Sequence, residues 1–274
     1  LDYNTSTIAA PDINGKHQII QLTAKEFQLL EYFMQQGSAK LCLLTANFQN
    51  PLGYCLSNQQ KQKIAELAQK YQCFVLEDDI YGECSFQKER PLPIRYWDQQ
   101  GYVIWCGSVS KSLSSAYRVG WFCLGQQLQH LRPQLLANNI GVNTPLQLGL
   151  ADFIYSRGYR EHLEGLRPKL MQQVEQYRAY ILEVFNGIPI ALSQSQGGYA
   201  LWMQLPENMT GLALYYLAHS QGINIVPGEV FGEDLRYQHF IRLNAGHALT
   251  SEIRQAIQQL ADWVRESYLS QSRL

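Results

Sequence analysis

Short apolar runs separated by polar turns dominate the middle of the chain. Runs at 41–48, 73–76, 102–106 and 119–124 have the length of buried strands. Between the first two, Ser57 is a good helix N-cap with Gln60 three residues later, and apolar residues at helical spacing follow. Apolar runs that alternate with a helix predict βαβ units, in which a mainly parallel sheet carries helices on its faces.

The second half of the chain has a different pattern. Apolar residues recur on one side of a long helix predicted over 158–185, and short strands alternate with helices at 210–220 and 250–268 after it. This order predicts a connecting helix at 158–186 and a small α+β C-terminal domain at 187–274. Residues 38–157 then form part of an α/β large domain, and residues 1–37 are a segment of unclear origin.

The N-terminal segment contains one predicted helix. Residues 22–34 are amphipathic, with Thr23 as N-cap and Glu26 completing a capping box. The stretch 1–36 resembles the opening of the winged-helix DNA-binding domain of OmpR-like response regulators. The recognition helix and wing do not follow, so an ordinary packing helix is preferred and nucleic-acid binding by this chain is not expected.

Composition and charge exclude several classes of function. The formal net charge is −1 and 16% of residues are charged, so no generally basic surface for nucleic acid or anionic lipid is expected. No apolar stretch approaches the ~20 residues that span a bilayer. The six cysteines form no CxxC pair and the six histidines no HxxxH or HExxH pair, so neither a metal site nor a disulfide framework is expected. Reduced thiols fit a cytoplasmic protein.

Polar residues follow the predicted strands in a definite order. The motifs are Asn50-Pro51-x-Gly53, Asp78-x-x-Tyr81, Ser108-x-Ser110-Lys111 and then Arg118. Because the carboxyl ends of parallel strands meet at one edge of a sheet, these groups are expected to converge there.

The residues around these motifs resemble those of a known protein family. The stretches NFQNPLGYC, EDDIYGE, GSVSKSLSSAYRVGW, GGYALW, PGEVFG and IRLNAG resemble pyridoxal-phosphate (PLP) enzymes of the class I/II aminotransferase family, fold-type I. They look most like the aminotransferase-like domain of MocR-type regulators in the GntR family. The resemblance covers residues 38–274 and implies PLP as cofactor, amino acid and 2-oxo acid substrates, and a homodimer.

The resemblance implies a role for each residue that would touch the cofactor ring. Lys111 would form the Schiff base and later move the α-proton. Asp78 would hold the proton on the ring nitrogen, and its spacing to Tyr81 favours it over the adjacent Asp79. Tyr81 and Asn50 would hydrogen-bond the phenolic oxygen. The alternatives are a surface lysine, a core tyrosine and an asparagine that merely starts a turn.

Phosphate and substrate contacts are implied in the same way. Ser108 and Ser110 offer hydroxyls, and Arg118 offers a guanidinium fork that matches phosphate, although it could instead form a structural ion pair. Arg242 would bind the substrate α-carboxylate. The glycines of Gly197-Gly198-Tyr199 are expected to serve backbone geometry rather than catalysis.

The chain departs from the family pattern ahead of the Asn-Pro motif. Relatives carry there a strand, helices, a Gly/Ser-rich phosphate turn and an aromatic that stacks on the ring, whereas forty residues precede position 41 and the first is Leu. We therefore expect a truncated chain that is marginally stable or associates, with weak or absent activity, or one that a partner chain completes. The predicted function is amino-group transfer through a Lys111 aldimine. The alternative is a PLP- or amine-binding sensor domain of a MocR-type regulator.

Overall fold

The described structure covers most of the chain from residue 41 onward. A computed structural model describes residues 7–11, 17–21, 41–138, 143–232 and 235–271. The first two ranges pair as an antiparallel hairpin of β1 (Thr7–Pro11) and β2 (His17–Gln21). The helix predicted over 22–34, with the resemblance that rests on it, lies outside the described residues.

A four-stranded sheet forms the first half of the fold. Its strands are β3 (Leu41–Leu44), β4 (Phe74–Asp78), β5 (Val103–Ser108) and β6 (Gly120–Cys123), in the order β3-β4-β5-β6. The first three strands are parallel, and β6 runs antiparallel to β5. The predicted α/β class is confirmed, but the first strand ends four residues before its apolar run does, because the chain turns away from the sheet.

Helix α1 (Asn58–Tyr71) covers one face of this sheet. Ser57 caps it, and the capping box with Gln60 predicted from the sequence is present. The buried side of α1 packs against the β4 and β5 side chains of that face, in a cluster that includes Ile64, Leu67 and Val75. This burial, at about 25 cal/mol per Å² of apolar surface, holds the helix on the sheet.

The described residues leave the opposite face of the sheet partly uncovered. By the strand register Leu41 and Leu43 of β3 lie on the same face as Phe122 of β6. Their exposed fractions are 54%, 67% and 48%. Parallel sheets normally carry cover on both faces, so this apolar surface is unusual.

A long helix leads from the first sheet to a second one. Helices α2 (Arg132–Asn138) and α3 (Thr144–Tyr155) precede α4 (Arg157–Val184), which confirms the long helix predicted at 158–185. No helix of the described residues is long and apolar enough to span a membrane.

The second sheet is antiparallel and has helices of its own. Its strands are β7 (Ala191–Leu192), β8 (Ala200–Gln204), β9 (Val226–Pro227) and β10 (Phe240–Asn244), in the order β7-β8-β10-β9. Helices α5 (Gly211–Ser220) and α6 (Ser251–Gln271) complete this part. One apolar core continues from here to Phe48, Tyr81 and Cys84 beyond the first sheet. The groups at the ends of β3 and β4 thus lie against the second sheet.

Candidate active site

The Asn50 turn projects an amide from the chain after β3 toward the second sheet. The Gly53 amide donates to the Gln49 carbonyl at 2.5 Å, and Gly53 has φ +75°, a conformation that glycine adopts without strain. Arg242 of β10 donates from Nη1 to Asn50 Oδ1 at 3.4 Å. Two predicted site residues that lie 192 positions apart are therefore in contact.

The two adjacent aspartates at the end of β4 have different surroundings. Asp79 is buried, accepts hydrogen bonds from Asn47 Nδ2 at 2.8 Å and Trp105 Nε1 at 2.7 Å, and pairs with Arg90. Asp78 lies on the other face of the strand, half-buried, and its Oδ1 accepts only from the Ile80 amide among the described contacts. Of the two carboxylates, that of Asp78 is therefore the one without an ion pair among the described residues.

Tyr81 and Lys111 meet above the same strand ends. The Lys111 Nζ lies 5.4 Å from the centroid of the Tyr81 ring, within cation–π distance. The Tyr81 ring is buried at 7% exposure, and within the described part of the chain Lys111 has no acidic partner. A half-buried lysine beside a phenol and without a carboxylate is a potential nucleophile, because no ion pair has to break before it reacts.

Two serine hydroxyls form a cluster at the end of β5. Ser108 Oγ lies 2.9 Å from both Ser110 Oγ and the Val119 carbonyl oxygen, either of which can accept its one hydrogen, and it accepts from the Ser110 amide at 3.1 Å. Arg118 follows a short 3₁₀ turn, has φ +52° and is exposed. Its guanidinium has no ion pair with the described acids, so the structural ion pair considered above is absent from this part of the chain. No contact joins it to the two serines.

Arg242 is a cation held without a counter-ion. The side chain is half-buried, its Nε has no hydrogen-bond partner, and none of the described acids pairs with it. A buried unsatisfied guanidinium nitrogen is costly, on the order of 1–3 kcal/mol, unless a ligand completes it. The bond to Asn50 joins β10 of the second sheet to the turn that follows β3 of the first.

Tyr199 lies beside two of the predicted site residues, although the sequence did not single it out. Its ring packs edge-on against Tyr81 with centroids 5.5 Å apart, and it lies close enough to Arg242 for the guanidinium charge to act on the pKa of its phenol. Burial raises the pKa of the Tyr199 phenol well above its ordinary value, and the Tyr81 phenol raises it further. Tyr199 belongs to the Gly-Gly-Tyr motif, in which only the glycines were given an expected role, in backbone geometry.

The Cys84 thiol, which lies next to the backbone of Lys111, is inert. Cys84 is fully buried, and its Sγ lies 3.5 Å from the Lys111 carbonyl oxygen. Burial raises the pKa of the Cys84 thiol to about 12, with a smaller contribution from the nearby Glu83 carboxylate. A thiol with such a pKa is a packing group rather than a competing nucleophile.

Three contacts in the structure join predicted site residues to one another. The contacts join Asn50 with Arg242, Tyr81 with Lys111, and Ser108 with Ser110. Asp78 is the last residue of β4 and Arg118 precedes β6, and no described contact joins either to another predicted site residue.

Comparison with known proteins gives the same family throughout. The family model described as aminotransferase class I and II matches residues 24–260. The chain is 32% identical over 241 residues to the HTH-type transcriptional regulator YdcR of Escherichia coli, covering 88% of this chain and 51% of that protein. It is 27% identical over 245 residues to aromatic-amino-acid aminotransferase 1 of Thermococcus litoralis, covering 88% and 58%.

Solved structures share the fold. The multiple substrate aminotransferase of Thermococcus profundus superposes with a TM-score of 0.75 at 26% identity, over 90% of this chain and 61% of that one. The chain spans about half the length of the curated relatives it matches.

Proposed function

Because the chain belongs to the aminotransferase class I and II family, we propose that it binds pyridoxal 5′-phosphate through Lys111 and exchanges amino groups between an amino acid and a 2-oxo acid. Family membership implies this cofactor. The bound cofactor supplies an electron sink for the negative charge that develops at the substrate α-carbon.

The observation that supports the proposal most directly is that Arg242 has no paired acid among the described residues. Its guanidinium is half-buried between the two sheets, with Nε unsatisfied and no acid paired with it among the described residues. A planar guanidinium matches a carboxylate in two parallel hydrogen bonds. The α-carboxylate of an amino acid would satisfy it.

The remaining residues fit the cofactor by their chemistry. The Lys111 amine would bind the cofactor aldehyde and, once displaced, would carry a proton at Nζ to and from the α-carbon. The Asp78 carboxylate, unlike that of Asp79, is free to hold a proton on the ring nitrogen. Tyr81 would donate to the phenolic oxygen, and Ser108, Ser110 and Arg118 offer hydroxyls and charge for the phosphate.

A sensor function is the second candidate, and the relatives favour it. The regulator YdcR is more similar to this chain than the Thermococcus litoralis aminotransferase, at 32% against 27% identity. In that function the same pocket would bind PLP or an amine as a signal. Both functions use Lys111 and differ in whether a 2-oxo acid is released.

The cofactor assignment is tested by adding PLP and recording visible absorption. We expect wild type to develop a band that Lys111→Ala does not, with Lys88→Ala as the control that removes an exposed lysine. Identical spectra for wild type and Lys111→Ala would end the proposal.

Turnover then separates the enzyme from the sensor. A panel of amino acids is added to the loaded protein, and released 2-oxo acid is measured. An enzyme releases it stoichiometrically, and Arg242→Ala keeps the visible band but needs at least about tenfold more amino acid, since a charge-assisted pair contributes roughly 1.5–3 kcal/mol. Spectral change without 2-oxo acid would favour the sensor.

A further inference from the structure

Two cysteine side chains are in contact on the helix-covered face of the first sheet. Cys42 is the second residue of β3, and Cys73 directly precedes β4. Their sulfur atoms lie 3.8 Å apart, although 31 positions separate the two residues along the chain. Both cysteines are thiols in this structure, with no disulfide between them. They form a pair of neighbouring thiols that the proposed function does not use.

The strand register explains why these two sulfur atoms meet. Cys42 is paired with Val75 across β3 and β4, so their side chains lie on the same face of the sheet. Cys73 lies two positions before Val75, and side chains two positions apart share a face. Both cysteines pack in the apolar cluster under α1. Cys106 and Cys123 also lie on neighbouring strands, but on opposite faces, since Cys123 is paired with the residue before Cys106.

The contact is short enough to close into a covalent bond. The sulfur atoms of a disulfide are about 2.05 Å apart, so atoms now 3.8 Å apart have to approach by less than about 2 Å. Rotation about the Cα–Cβ bond of either cysteine moves its sulfur. Among the described strands, β3 lies at the edge of its sheet and pairs with β4 alone, so a bond would join two strands that are already neighbours.

The two thiols differ in their access to solvent. Cys42 is half-buried, whereas Cys73 has 0% exposure. An oxidant that arrives from solvent therefore reaches the Cys42 sulfur first. The Cys73 thiol then stands next to the oxidised sulfur, in the position of a resolving cysteine.

We propose that Cys42 and Cys73 form a reversible disulfide when a peroxide oxidises the protein. Hydrogen peroxide converts the Cys42 thiol to a sulfenic acid, and one water leaves. The Cys73 sulfur then attacks the sulfenic sulfur, the S–O bond breaks, and the released hydroxide takes the thiol proton to form a second water. Two electrons pass from the sulfur atoms to the peroxide, and an added dithiol returns them. The bond fastens the edge strand β3 to β4.

The test maps the bond in the full chain after treatment with hydrogen peroxide. Remaining thiols are alkylated, and the protein is digested with trypsin without reduction. We expect peptides 41–61 and 71–88 to be joined, with a mass lower than their sum by two hydrogen atoms, and to separate when dithiothreitol is added. Unlinked peptides, or a Cys42 sulfenic acid that dimedone traps without a disulfide, would overturn the proposal.

Variants assign the bond, because each of the two peptides holds a second cysteine. Cys42→Ser should abolish the linked peptide. Cys55→Ser is the matched control and should keep it, since Cys55 shares the first peptide but its sulfur contacts Lys61. Fragmentation of the linked peptide distinguishes Cys73 from Cys84 in the second. A linked peptide that persists in Cys42→Ser, or a link through Cys84, would refute the assignment.

The thermal midpoint gives a second readout. A disulfide restricts the unfolded chain, so oxidised wild type should unfold at least about 5 °C above the reduced protein, and dithiothreitol should reverse the increase. Cys42→Ser should show no increase with peroxide, whereas Cys123→Ser, which removes an exposed thiol, should respond as wild type does. Absence of the increase in wild type, or its persistence in Cys42→Ser, would show that this pair does not fasten the strand.

Discussion

Two adjacent carboxylates at the end of β4 show how one residue step changes a role. Successive side chains of a strand point to opposite faces. Asp79 therefore points toward Arg90, Asn47 and Trp105, whereas Asp78 points to the other face, where no described cation pairs with it. The first is structural, and the second is available for chemistry.

Asn substitutions should separate these two roles. Asp79→Asn leaves Arg90 with Glu83 as its remaining acid and should lower the free energy of unfolding by about 3 kcal/mol, the cost of breaking a buried pair. Asp78→Asn should change stability by less than about 0.5 kcal/mol, as substitutions away from such networks do, but weaken the visible band with PLP. Urea unfolding and absorption spectra measure the two effects. Equal stability losses for both variants would contradict the assignment.

The buried carboxyl of Glu77 should make the stability of the fold depend on pH. The side chain is fully buried, accepts from the Ile94 amide at 2.7 Å and the Arg95 amide at 3.1 Å, and burial raises its pKa to about 7. Between pH 4.5 and 7 the folded protein thus holds a proton that the unfolded chain has lost. The contribution of Glu77 to stability therefore falls as pH rises through this window, by up to about 3 kcal/mol.

Glu77→Gln should remove that slope. The difference in unfolding free energy between variant and wild type, measured by urea unfolding at several pH values, should change across the window and be constant above it. The comparison cancels the titration of other carboxylates, which both proteins share. A difference that is independent of pH would show that Glu77 does not titrate in this way.

At the scale of elements, a glycine in α4 and a glycine in the hairpin before β8 differ in whether a side chain would fit there. Gly165 is an exposed residue in the interior of α4, and an added Cβ would have nothing within 4 Å. At Gly197 an added Cβ would lie 2.5 Å from the Phe48 ring and 2.7 Å from the Cys84 carbonyl oxygen. The hairpin needs glycine because the backbones approach closely, whereas the helix does not.

Alanine substitutions at these two sites should have opposite signs. Gly165→Ala should raise the free energy of unfolding by about 0.5–1 kcal/mol, through the helix propensity of alanine. Gly197→Ala should lower it by about 2 kcal/mol or more, since the clash involves backbone. Thermal or urea unfolding of the two variants measures both. A stable Gly197→Ala protein would show that the hairpin can move away from Cys84.

At the scale of the whole molecule, the uncovered face of the first sheet is the prominent surface. Helix α1 covers one face, and the apolar side chains of β3 and β6 are half-exposed or more on the other. Burying one such side chain stabilises a contact by roughly 1.5–3 kcal/mol. We therefore predict that the protein associates at raised concentration through this face.

Charged substitutions on this face should weaken the association. The double variant Leu43→Lys, Phe122→Lys should raise the concentration needed for association at least about tenfold, the effect of roughly 1.4 kcal/mol. Leu217→Lys on α5, which replaces a leucine of 44% exposure in the second half of the fold, is the control. Analytical ultracentrifugation measures both. Wild type that remains monomeric throughout would refute the prediction.

Local signals in the sequence predicted most of the elements. The capping box at Ser57 and Gln60, the apolar stripe of the long helix and the four strands of the first sheet are all present, although β3 is four residues shorter than its apolar run, because caps and periodicity act over a few residues. The short strand β7 and the helices α2 and α3 were missed. Strand β9 is only two residues long, Val226–Pro227.

The sequence by itself determined the candidate chemistry and its order along the chain, since residue types and motif spacing are local properties. Only the tertiary structure decided which groups share a pocket. Arg242 of the second sheet contacts Asn50, which follows a strand of the first sheet. Asp79 is paired with Arg90, and the backbone next to Tyr199 bonds to Cys84. Such contacts depend on how distant backbones pack together, and no local pattern encodes that packing.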